Sequence, residues 1–234
     1  MSKTTADTSV GTYSMLSRLI LCFSLLLCML LSLTLWSNPA VAAAQSQQQT
    51  QQQLGQIFAK LSATPLLRAQ FQQQKTLASI NKNFHSTGSI LFSKHNGVLW
   101  QIQQPVQADL IVTQKKVVQK TQRTLSQVDV ANTPYSSVAN LFLQLMAGDQ
   151  TALAKNFDVI QVSYAPNQWQ LALKPKSKLF KNLFERVDVQ GNQFVNQVVI
   201  QEKANNSTTI KFSQHSTQAQ RLTDGENALF QLAK

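Results

Sequence analysis

From Leu66 onward, apolar side chains occur at every second position of the sequence. In residues 67–72, Leu, Ala and Phe alternate with Arg and Gln, and similar runs recur as far as Phe212. Alternation with period two places the apolar side chains of a strand on one face of a sheet. Turn-forming Asn, Gly and Pro separate the runs at short intervals, which indicates antiparallel strands joined as a meander. The alternating runs are 67–72, 90–92, 98–102, 110–112, 160–164, 169–173, 187–189, 194–200 and 210–212, with weaker, more polar strands at 116–122 and 123–130.

Other segments carry the apolar spacing of helices. Apolar residues at i, i+3, i+4 and i+7 predict a helix over 48–62, with Gln-rich first turns. A second helix is predicted over 134–147, where a Thr-Pro pair forms the start and a glycine the end. Short helices are predicted after Asp149 and over 224–232. Helices and an antiparallel sheet without an obvious linker predict a single α+β domain.

A bent antiparallel sheet with large apolar residues on one face needs a cover that excludes water. The helices predicted over 48–62 and 134–147 provide such a cover. The covered face can form an ordinary packed core, or it can line a cavity for a hydrophobic guest molecule. The alternation is compatible with both interpretations.

The first 44 residues have the character of an export signal. Residues 19–36 are apolar and uncharged, and a proline and an alanine-rich stretch with Ala-x-Ala spacing follow them. This order is typical of a secretory signal peptide and predicts cleavage after Ala42 or Ala44. Retention as an uncleaved anchor is the alternative, because a run of this length just spans a bilayer. Cleavage of residues 1–44 leaves 45–234 as one exported domain.

The exported part is basic and has no thiol. Both cysteines, Cys22 and Cys28, precede it, and it keeps 19 basic but only nine acidic residues. Positive charge attracts anionic partners, but no aromatic–basic signature of an RNA-binding sheet accompanies it, so no nucleic-acid partner is predicted. The expected partner of the densest positive charge is an acidic protein face or an anionic membrane surface. This basic cluster consists of Lys174, Lys176, Lys178 and Lys181.

No catalytic or metal-binding motif is recognisable in the sequence. The carboxylates are scattered, and His85, His95 and His215 each stand beside small polar residues. No H-E-x-x-H motif, G-x-S-x-G motif or phosphate-binding glycine loop occurs. We therefore predict no enzymatic activity, no metal site and no cofactor.

An ordered set of short motifs resembles a known family, the periplasmic lipoprotein carriers that comprise LolA and its relatives. The resemblance covers roughly residues 48–213, and the order and spacing of the motifs make it specific. The motifs are Phe71-x-Gln73 with Lys75, the segment 88–92 followed by Trp100 and Pro105, the strand 110–112, the segment 145–149, the strand 169–175 and the segment 184–191.

The resemblance implies an incomplete antiparallel β-barrel, a strongly curved sheet, covered by a lid of short α-helices. It also implies a monomeric, non-enzymatic periplasmic chaperone. Such a carrier encloses the acyl chains of a lipoprotein or another lipid and shuttles this cargo from an inner-membrane transporter towards an outer-membrane receptor. The alternative is a non-enzymatic accessory subunit of an envelope lipid or glycolipid export system, in which the covered face packs dry and the basic cluster binds the partner.

An acyl chain that crosses an aqueous compartment must be enclosed, because each buried CH₂ group contributes about 0.8 kcal/mol. Large apolar residues of the sheet and of its helical cover are the candidates for this lining. The resemblance places the family's lid-locking arginine at Lys94, which keeps the charge but lacks the planar fork of donors, and Lys94 is the candidate lid gate. The predicted lipid-binding residues are Ile57, Phe58, Phe71, Phe84, Phe92, Trp100, Leu110, Leu141, Phe142, Leu145, Trp169, Leu171 and Leu173.

Overall fold

A computed structural model describes the backbone of residues 39–129, 141, 143–219 and 221–234. The chain divides into two units, Met1–Gln48 and Gln49–Lys234, and the described residues of the first unit are helical. No helix within the described ranges is both long and apolar enough to cross a membrane. The helices are α1 (Pro39–Ser62), α2 (Gln150–Asn156), α3 (Lys178–Leu183) and α4 (Asp224–Gln231), with single 3₁₀ turns at Ala78–Ile80 and Lys203–Asn205.

Eleven strands form one sheet, and every neighbouring pair in it is antiparallel. Each alternating run of the sequence falls on one of these strands, although Phe194 precedes β10, residues 122–124 form the turn between β5 and β6, and Val130 lies outside the described residues. The predicted antiparallel meander is thus confirmed. The strands are β1 (Leu66–Leu77), β2 (Lys82–Ser93), β3 (Gly97–Gln104), β4 (Ala108–Val112), β5 (Lys116–Thr121), β6 (Leu125–Asp129), β7 (Phe157–Ala165), β8 (Gln168–Pro175), β9 (Phe184–Gly191), β10 (Val195–Glu202) and β11 (Ser207–Ser216).

The first strand lies at the centre of the sheet, because β1 pairs with β2 on one side and with β11 on the other. The strand order is β6-β5-β4-β3-β2-β1-β11-β10-β9-β8-β7. Since β6 and β7 are the two edges, the curved sheet does not close into a barrel, which confirms the predicted α+β fold class. The chain passes from one edge to the other through a connection that contains residues 141 and 143–148, called here the connecting segment, of which 141 and 143–147 are helical.

Side chains are buried on both faces of the sheet. The inner face, which carries Ile90 and Phe92 of β2, shares one apolar cluster with α1 and the connecting segment. The intervening Leu91 belongs to a second cluster on the outer face of β2–β5, where it packs with Leu99 and with Phe230 of α4. Strands β2–β5 are therefore apolar on both faces, whereas the sequence analysis assigned one apolar face to each strand. The reason is that α4 covers the outer face.

The helices depart from the predictions mainly at one boundary. α1 begins at Pro39 rather than near Gln48, because alanine and glutamine favour helix and proline fits a first turn. The helix predicted over 134–147 is present at 141 and 143–147, and its other residues lie outside the described part of the chain. α2 and α4 confirm the short helices predicted after Asp149 and near the C-terminus.

One arginine fastens the C-terminal segment to the sheet. Arg68 of β1 donates two hydrogen bonds to Glu226, from Nε to Oε1 at 2.9 Å and from Nη2 to Oε2 at 2.6 Å. It also donates to the carbonyl oxygens of Ala219 and Arg221, both at 3.1 Å. The Thr223 amide donates to Glu226 Oε2 at 2.7 Å within the capping box of α4. Arg68 thus positions the start of α4 and the loop that precedes it.

The same contacts set the pKa of Glu226. Burial by itself raises the pKa of this carboxyl, but the hydrogen bonds from Arg68 and from the Thr223 amide outweigh burial and leave the pKa below its ordinary value. The stabilising contribution of Glu226 is therefore complete above its unfolded pKa and is lost as the pH falls through the folded pKa.

Replacing Arg68 with alanine should destabilise the fold, because the variant leaves Glu226 partly buried without its cation. We expect the free energy of unfolding at neutral pH to fall by roughly 2–3 kcal/mol, measured by urea titration. Arg68→Lys should retain part of this stability, since it keeps the charge but not the paired hydrogen bonds. The wild type should also lose more stability than Arg68→Ala on acidification, and equal losses in the two proteins would contradict this account.

Candidate functional site

Helix α1 covers the inner face with a narrow apolar stripe. Leu54, Ile57, Phe58 and Leu61 are each no more than 4% exposed, and their spacing places them on one side of the helix. Burial of each such side chain stabilises the fold by roughly 1.5–3 kcal/mol. Apolar contact is therefore the main force that holds α1 on the sheet.

An aromatic row crosses the centre of the inner face. The rings of Phe71 and Trp100 lie 4.4 Å apart between centroids, and Trp100 meets Phe212 edge-on at 6.1 Å. Gly88 stands directly opposite Phe71 in the neighbouring strand. A Cβ atom at Gly88 would collide with the Gln101 carbonyl and lie 3.0 Å from the Phe71 ring. The glycine is thus required for the close packing of the row.

The other half of the inner face is filled around Trp169. This indole is fully buried, and its Nε1 donates to the Asn192 carbonyl at 2.8 Å, so it carries no unsatisfied donor into the core. Phe180 of α3 lies between Phe157, at 4.6 Å, and Phe184, at 5.8 Å. These last three phenylalanines were absent from the predicted lining, although Phe157 and Phe184 begin strands and Phe180 lies between two lysines of the basic cluster.

The structure brings most of the predicted lipid-binding residues together. Leu110 is only partly buried but packs against the same cluster. Phe84 does not join the cluster and is 51% exposed near the start of β2, and Phe142 lies outside the described residues. The residues that are buried in the inner-face cluster are Ile57, Phe58, Phe71, Phe92, Trp100, Leu141, Leu145, Trp169, Leu171 and Leu173.

Several of these side chains border no void that could hold a water molecule. Ile57, Trp169 and Leu173 are each 0% exposed, and Phe71 and Phe92 are each 1% exposed. At these side chains the inner face is thus closed off from solvent by other parts of the protein. An acyl chain could occupy the same space only after the helical cover had moved away from the sheet.

The connecting segment packs directly against the last turn of α1. Leu141 and Leu145 are buried in the inner-face cluster. Gly148 has a φ of +64°, and a Cβ at this position would lie 2.6 Å from the Phe58 carbonyl oxygen and 2.7 Å from the Ser62 nitrogen. Only glycine suits both this backbone conformation and this close approach. The two parts of the cover thus meet at Gly148.

Few polar contacts tie α1 to the turns of the sheet. Lys60 Nζ donates to the Pro166 carbonyl at 3.2 Å and lies 5.2 Å from the centroid of the Tyr164 ring. Lys94 Nζ donates to the Ser62 carbonyl at 3.5 Å, which is at the limit for a hydrogen bond. Both amines lie at the C-terminal end of α1, where the helix dipole favours positive charge. Lys94 therefore stands at the cover, where its predicted role as a gate would require it.

A charged group marks the far end of the inner face. Lys75 Nζ lies 3.0 Å from Glu202 Oε2, and Thr208 Oγ1 donates to Glu202 Oε1 at 2.6 Å. Lys75 and Thr208 are register partners across β1 and β11. The sequence analysis assigned no role to this group, although Lys75 continues the inner-face alternation from Phe71. The group satisfies its own charges and ends the apolar surface.

An open cleft lies beside the C-terminal end of α1. Its volume is about 990 Å³, and its lining includes Lys60, Thr64, Pro166 and Asn192. The side chain of Lys60 stands between this cleft and Tyr164. Because its lining consists largely of turn residues, the cleft is a candidate entrance to the inner face and not the apolar surface that would contact lipid.

The ionisable side chains that remain form no metal-binding cluster among the described residues. Within the described ranges, no cluster of three or more His, Cys, Asp or Glu side chains could hold a metal ion. His215 Nε2 donates a 2.9 Å hydrogen bond to the Val195 carbonyl, and the ring stacks on Phe194. Burial lowers the pKa of His215, and the hydrogen bond to Val195 offsets this effect only in part. A neutral ring is accordingly favoured.

The basic cluster lies on the surface at the end of β8, in the turn that follows and in α3. Its four lysines are exposed. Lys176 approaches Asp158 at 3.6 Å, and this is the only ion pair of the cluster within the described part of the chain. The other three amines, those of Lys174, Lys178 and Lys181, face solvent without a carboxylate partner among the described residues.

The sequence matches the family described as outer membrane lipoprotein carrier protein LolA over residues 62–231. No protein of curated function matches it significantly. Because the match covers well over half of the chain, the protein belongs to the LolA family. Members of this family are generally carriers of lipid or lipoprotein cargo, and this protein is a carrier of that kind. The family is generally non-enzymatic.

Several solved structures are similar to this chain at low sequence identity. A LolA superfamily protein from Nitrosomonas europaea is 8% identical with a TM-score of 0.45, and the alignment covers 74% of this chain and 96% of that one. LprF from Mycobacterium bovis is 10% identical with a TM-score of 0.37, covering 76% and 97%. The Mycobacterium tuberculosis lipoprotein LppX is 9% identical with a TM-score of 0.39, covering 80% and 100%.

Replacing Gly148 with alanine should separate the two parts of the helical cover, because the added methyl group meets backbone atoms of Phe58 and Ser62 and the positive φ is strained. We expect a destabilisation of about 1–3 kcal/mol by urea titration, and faster proteolysis within the connecting segment. Gly55→Ala is the matched control, since a Cβ there meets nothing within 4 Å. If both variants behaved alike, the close approach at Gly148 would not matter.

Proposed function

We propose that this protein is a periplasmic carrier that encloses the acyl chains of a lipoprotein or another lipid between the sheet and its helical cover. In this proposal it shuttles the cargo from an inner-membrane transporter towards an outer-membrane receptor. The observation that supports it best is the large apolar inner face, which α1 covers with an apolar stripe. Membership of the LolA family supports the same kind of function.

Exchange of the cover for cargo is energetically feasible. When α1 leaves the sheet, the inner face loses apolar contacts that stabilise the closed form. An acyl chain that enters makes apolar contacts of the same kind at about 0.8 kcal/mol per CH₂. The difference in free energy between the closed form and the loaded form is therefore smaller than the difference between either of them and an empty, open form. Reversible loading needs two such states of similar free energy.

The lysine at the cover is proposed as the gate. Lys94 reaches the Ser62 carbonyl only at 3.5 Å, and a single exposed contact of this kind contributes little. Arginine, which the resemblance implies at this position, would offer several donors in a planar fork. A lysine gate should therefore release the cover more readily than an arginine gate.

One observation favours a second candidate function. The close burial of inner-face side chains such as Ile57, Trp169 and Leu173 is also what an accessory subunit of an envelope lipid or glycolipid export system would have, since such a subunit needs no cavity. In that case the exposed basic cluster would bind the partner through charge, which mainly increases the rate of association. The two candidates differ in whether an acyl chain ever reaches the inner face.

Intrinsic fluorescence separates these candidates directly. The chain has three tryptophans, and the two that follow residue 44, Trp100 and Trp169, both lie in the inner-face cluster. A brominated fatty acid should quench their emission in a saturable manner if acyl chains replace the cover, because bromine quenches only at close range. The chain purified after export, with its N-terminus read by mass spectrometry, is the sample.

Trp100→Phe provides the control, because the remaining signal then comes from the indole in the other half of the sheet. Quenching of both indoles supports a carrier whose whole inner face holds lipid. The carrier proposal would be wrong if neither indole were quenched and native mass spectrometry found no lipid on gently purified protein. The accessory subunit would then be the favoured function.

Changing the gate should alter the rate of acyl uptake. We expect Lys94→Ala to accelerate quenching by the brominated fatty acid about two- to five-fold, the effect of losing a weak contact, and Lys94→Arg to slow it. Stopped-flow fluorescence measures both rates. Lys115→Ala, an exposed lysine in the neighbouring β4–β5 turn, controls for the loss of one charge. If Lys94→Ala and Lys94→Arg took up the fatty acid at the wild-type rate, Lys94 would not act as a gate.

A further inference from the structure

The two ends of the sheet differ in their surface chemistry. Because neighbouring strands are antiparallel, the turns β1–β2, β3–β4, β5–β6, β8–β9 and β10–β11 all lie at one end, which we call the turn rim. The C-terminal end of α1 contacts the opposite end, through Lys94 in the β2–β3 turn and Pro166 in the β7–β8 turn. The turn rim is thus remote from the cover's gate.

Large apolar side chains are exposed almost exclusively at the turn rim. Of the six such residues in the described part of the chain, only Ile160, on the edge strand β7, lies elsewhere. The other five occupy four separate turns or the residues beside them. They are Ile80 (54% exposed), Phe84 (51%), Val106 (70%), Leu125 (55%) and Leu179 (42%).

Basic residues lie next to these five exposed apolar residues, which we call the apolar tips. Lys82 lies between Ile80 and Phe84 in the sequence, and Arg123 precedes Leu125 by two positions. Lys178 is adjacent to Leu179, so the basic cluster is one part of the turn rim. Lysines are also exposed at the opposite end of the sheet, as at Lys115. What is peculiar to the turn rim is therefore the combination of exposed apolar and basic side chains.

Hydrogen bonds fix neighbouring turns of this rim to one another. The Gln122 side chain in the β5–β6 turn donates to that of Gln107 in the β3–β4 turn at 3.1 Å. The Ala78 amide in the β1–β2 turn donates to the Asn206 side chain at 2.9 Å. The apolar tips are thus carried on a braced edge of the sheet rather than on independent loops.

We propose that the turn rim is a docking surface for an anionic lipid bilayer. Isolated apolar side chains on separate turns can each enter the boundary between headgroups and acyl chains, while the flanking lysines and arginines bind anionic headgroups. A protein interface would instead require a contiguous, closely packed apolar centre, and single residues spread over four turns do not form one. Docking of this kind would hold a carrier at a membrane without using its inner face.

This inference stands beside the proposed function and does not depend on it. Quenching by a brominated fatty acid in the absence of vesicles reports on the inner face, whereas attachment to vesicles reports on the turn rim. A failure of either measurement leaves the other interpretable.

Vesicle flotation tests the docking surface. The exported chain should float with phosphatidylcholine vesicles that contain phosphatidylglycerol, and much less with vesicles of phosphatidylcholine alone, with binding that weakens as salt is added. Val106→Asp should lower the apparent vesicle affinity by about ten-fold. Ile160→Asp is the matched control, because it places the same charge at an exposed apolar residue outside the rim, and it should bind like the wild type.

A second pair of variants tests the basic component. Lys178→Glu/Lys181→Glu should reduce binding to the anionic vesicles far more than Lys115→Glu/Arg221→Glu, which makes the same change of charge at exposed sites away from the rim. Equal losses in both pairs, or an unchanged affinity of Val106→Asp, would show general attraction between a basic protein and an anionic surface and would overturn the proposal. The proposal would also be overturned if the wild type did not bind the vesicles but was retained on immobilised polyglutamate, with retention lost in Lys178→Glu/Lys181→Glu. That result would identify the turn rim as a binding surface for an acidic protein.

Discussion

The pairing of the first strand with the last is the constraint on which the rest of this structure depends. It joins two meanders into one sheet and continues the aromatic row from Phe71 across the seam to Phe212. It also fixes the position of the cover, because only three residues separate the end of α1 from the start of β1. A helix attached so closely to the central strand must lie near the middle of the inner face.

In the proposed carrier, stability and function would depend on the same apolar surface. The side chains that close the inner face are those that an acyl chain would contact, so cargo and cover would compete for one site. A long hydrogen bond such as that from Lys94 would contribute little to keeping the cover closed. The charged group of Lys75 and Glu202 behaves differently, since its partners are all within the sheet and are unaffected by the cover.

Much of the inner face was predictable from the sequence, because period-two alternation assigns a strand residue to a face whatever its partners are. Alternation cannot show where a cover ends, which is why Phe84, on the same strand as Phe92, is exposed. It also cannot bring together residues distant in the sequence, such as Lys75 and Glu202. The burial of Leu91 on the outer face depends on α4. The local sequence around Leu91 does not indicate that a helix from residues 224–231 packs against it, so this burial could not be predicted.

The place of α4 has a consequence for the order of assembly. The helix covers strands from the first half of the chain, and the penultimate residue, Ala233, is buried with them at 2% exposure. The outer face of β2–β5 therefore stays open to water until α4 has been synthesised, so the first half of the sheet cannot complete its packing without a helix that lies about a hundred residues further along the sequence.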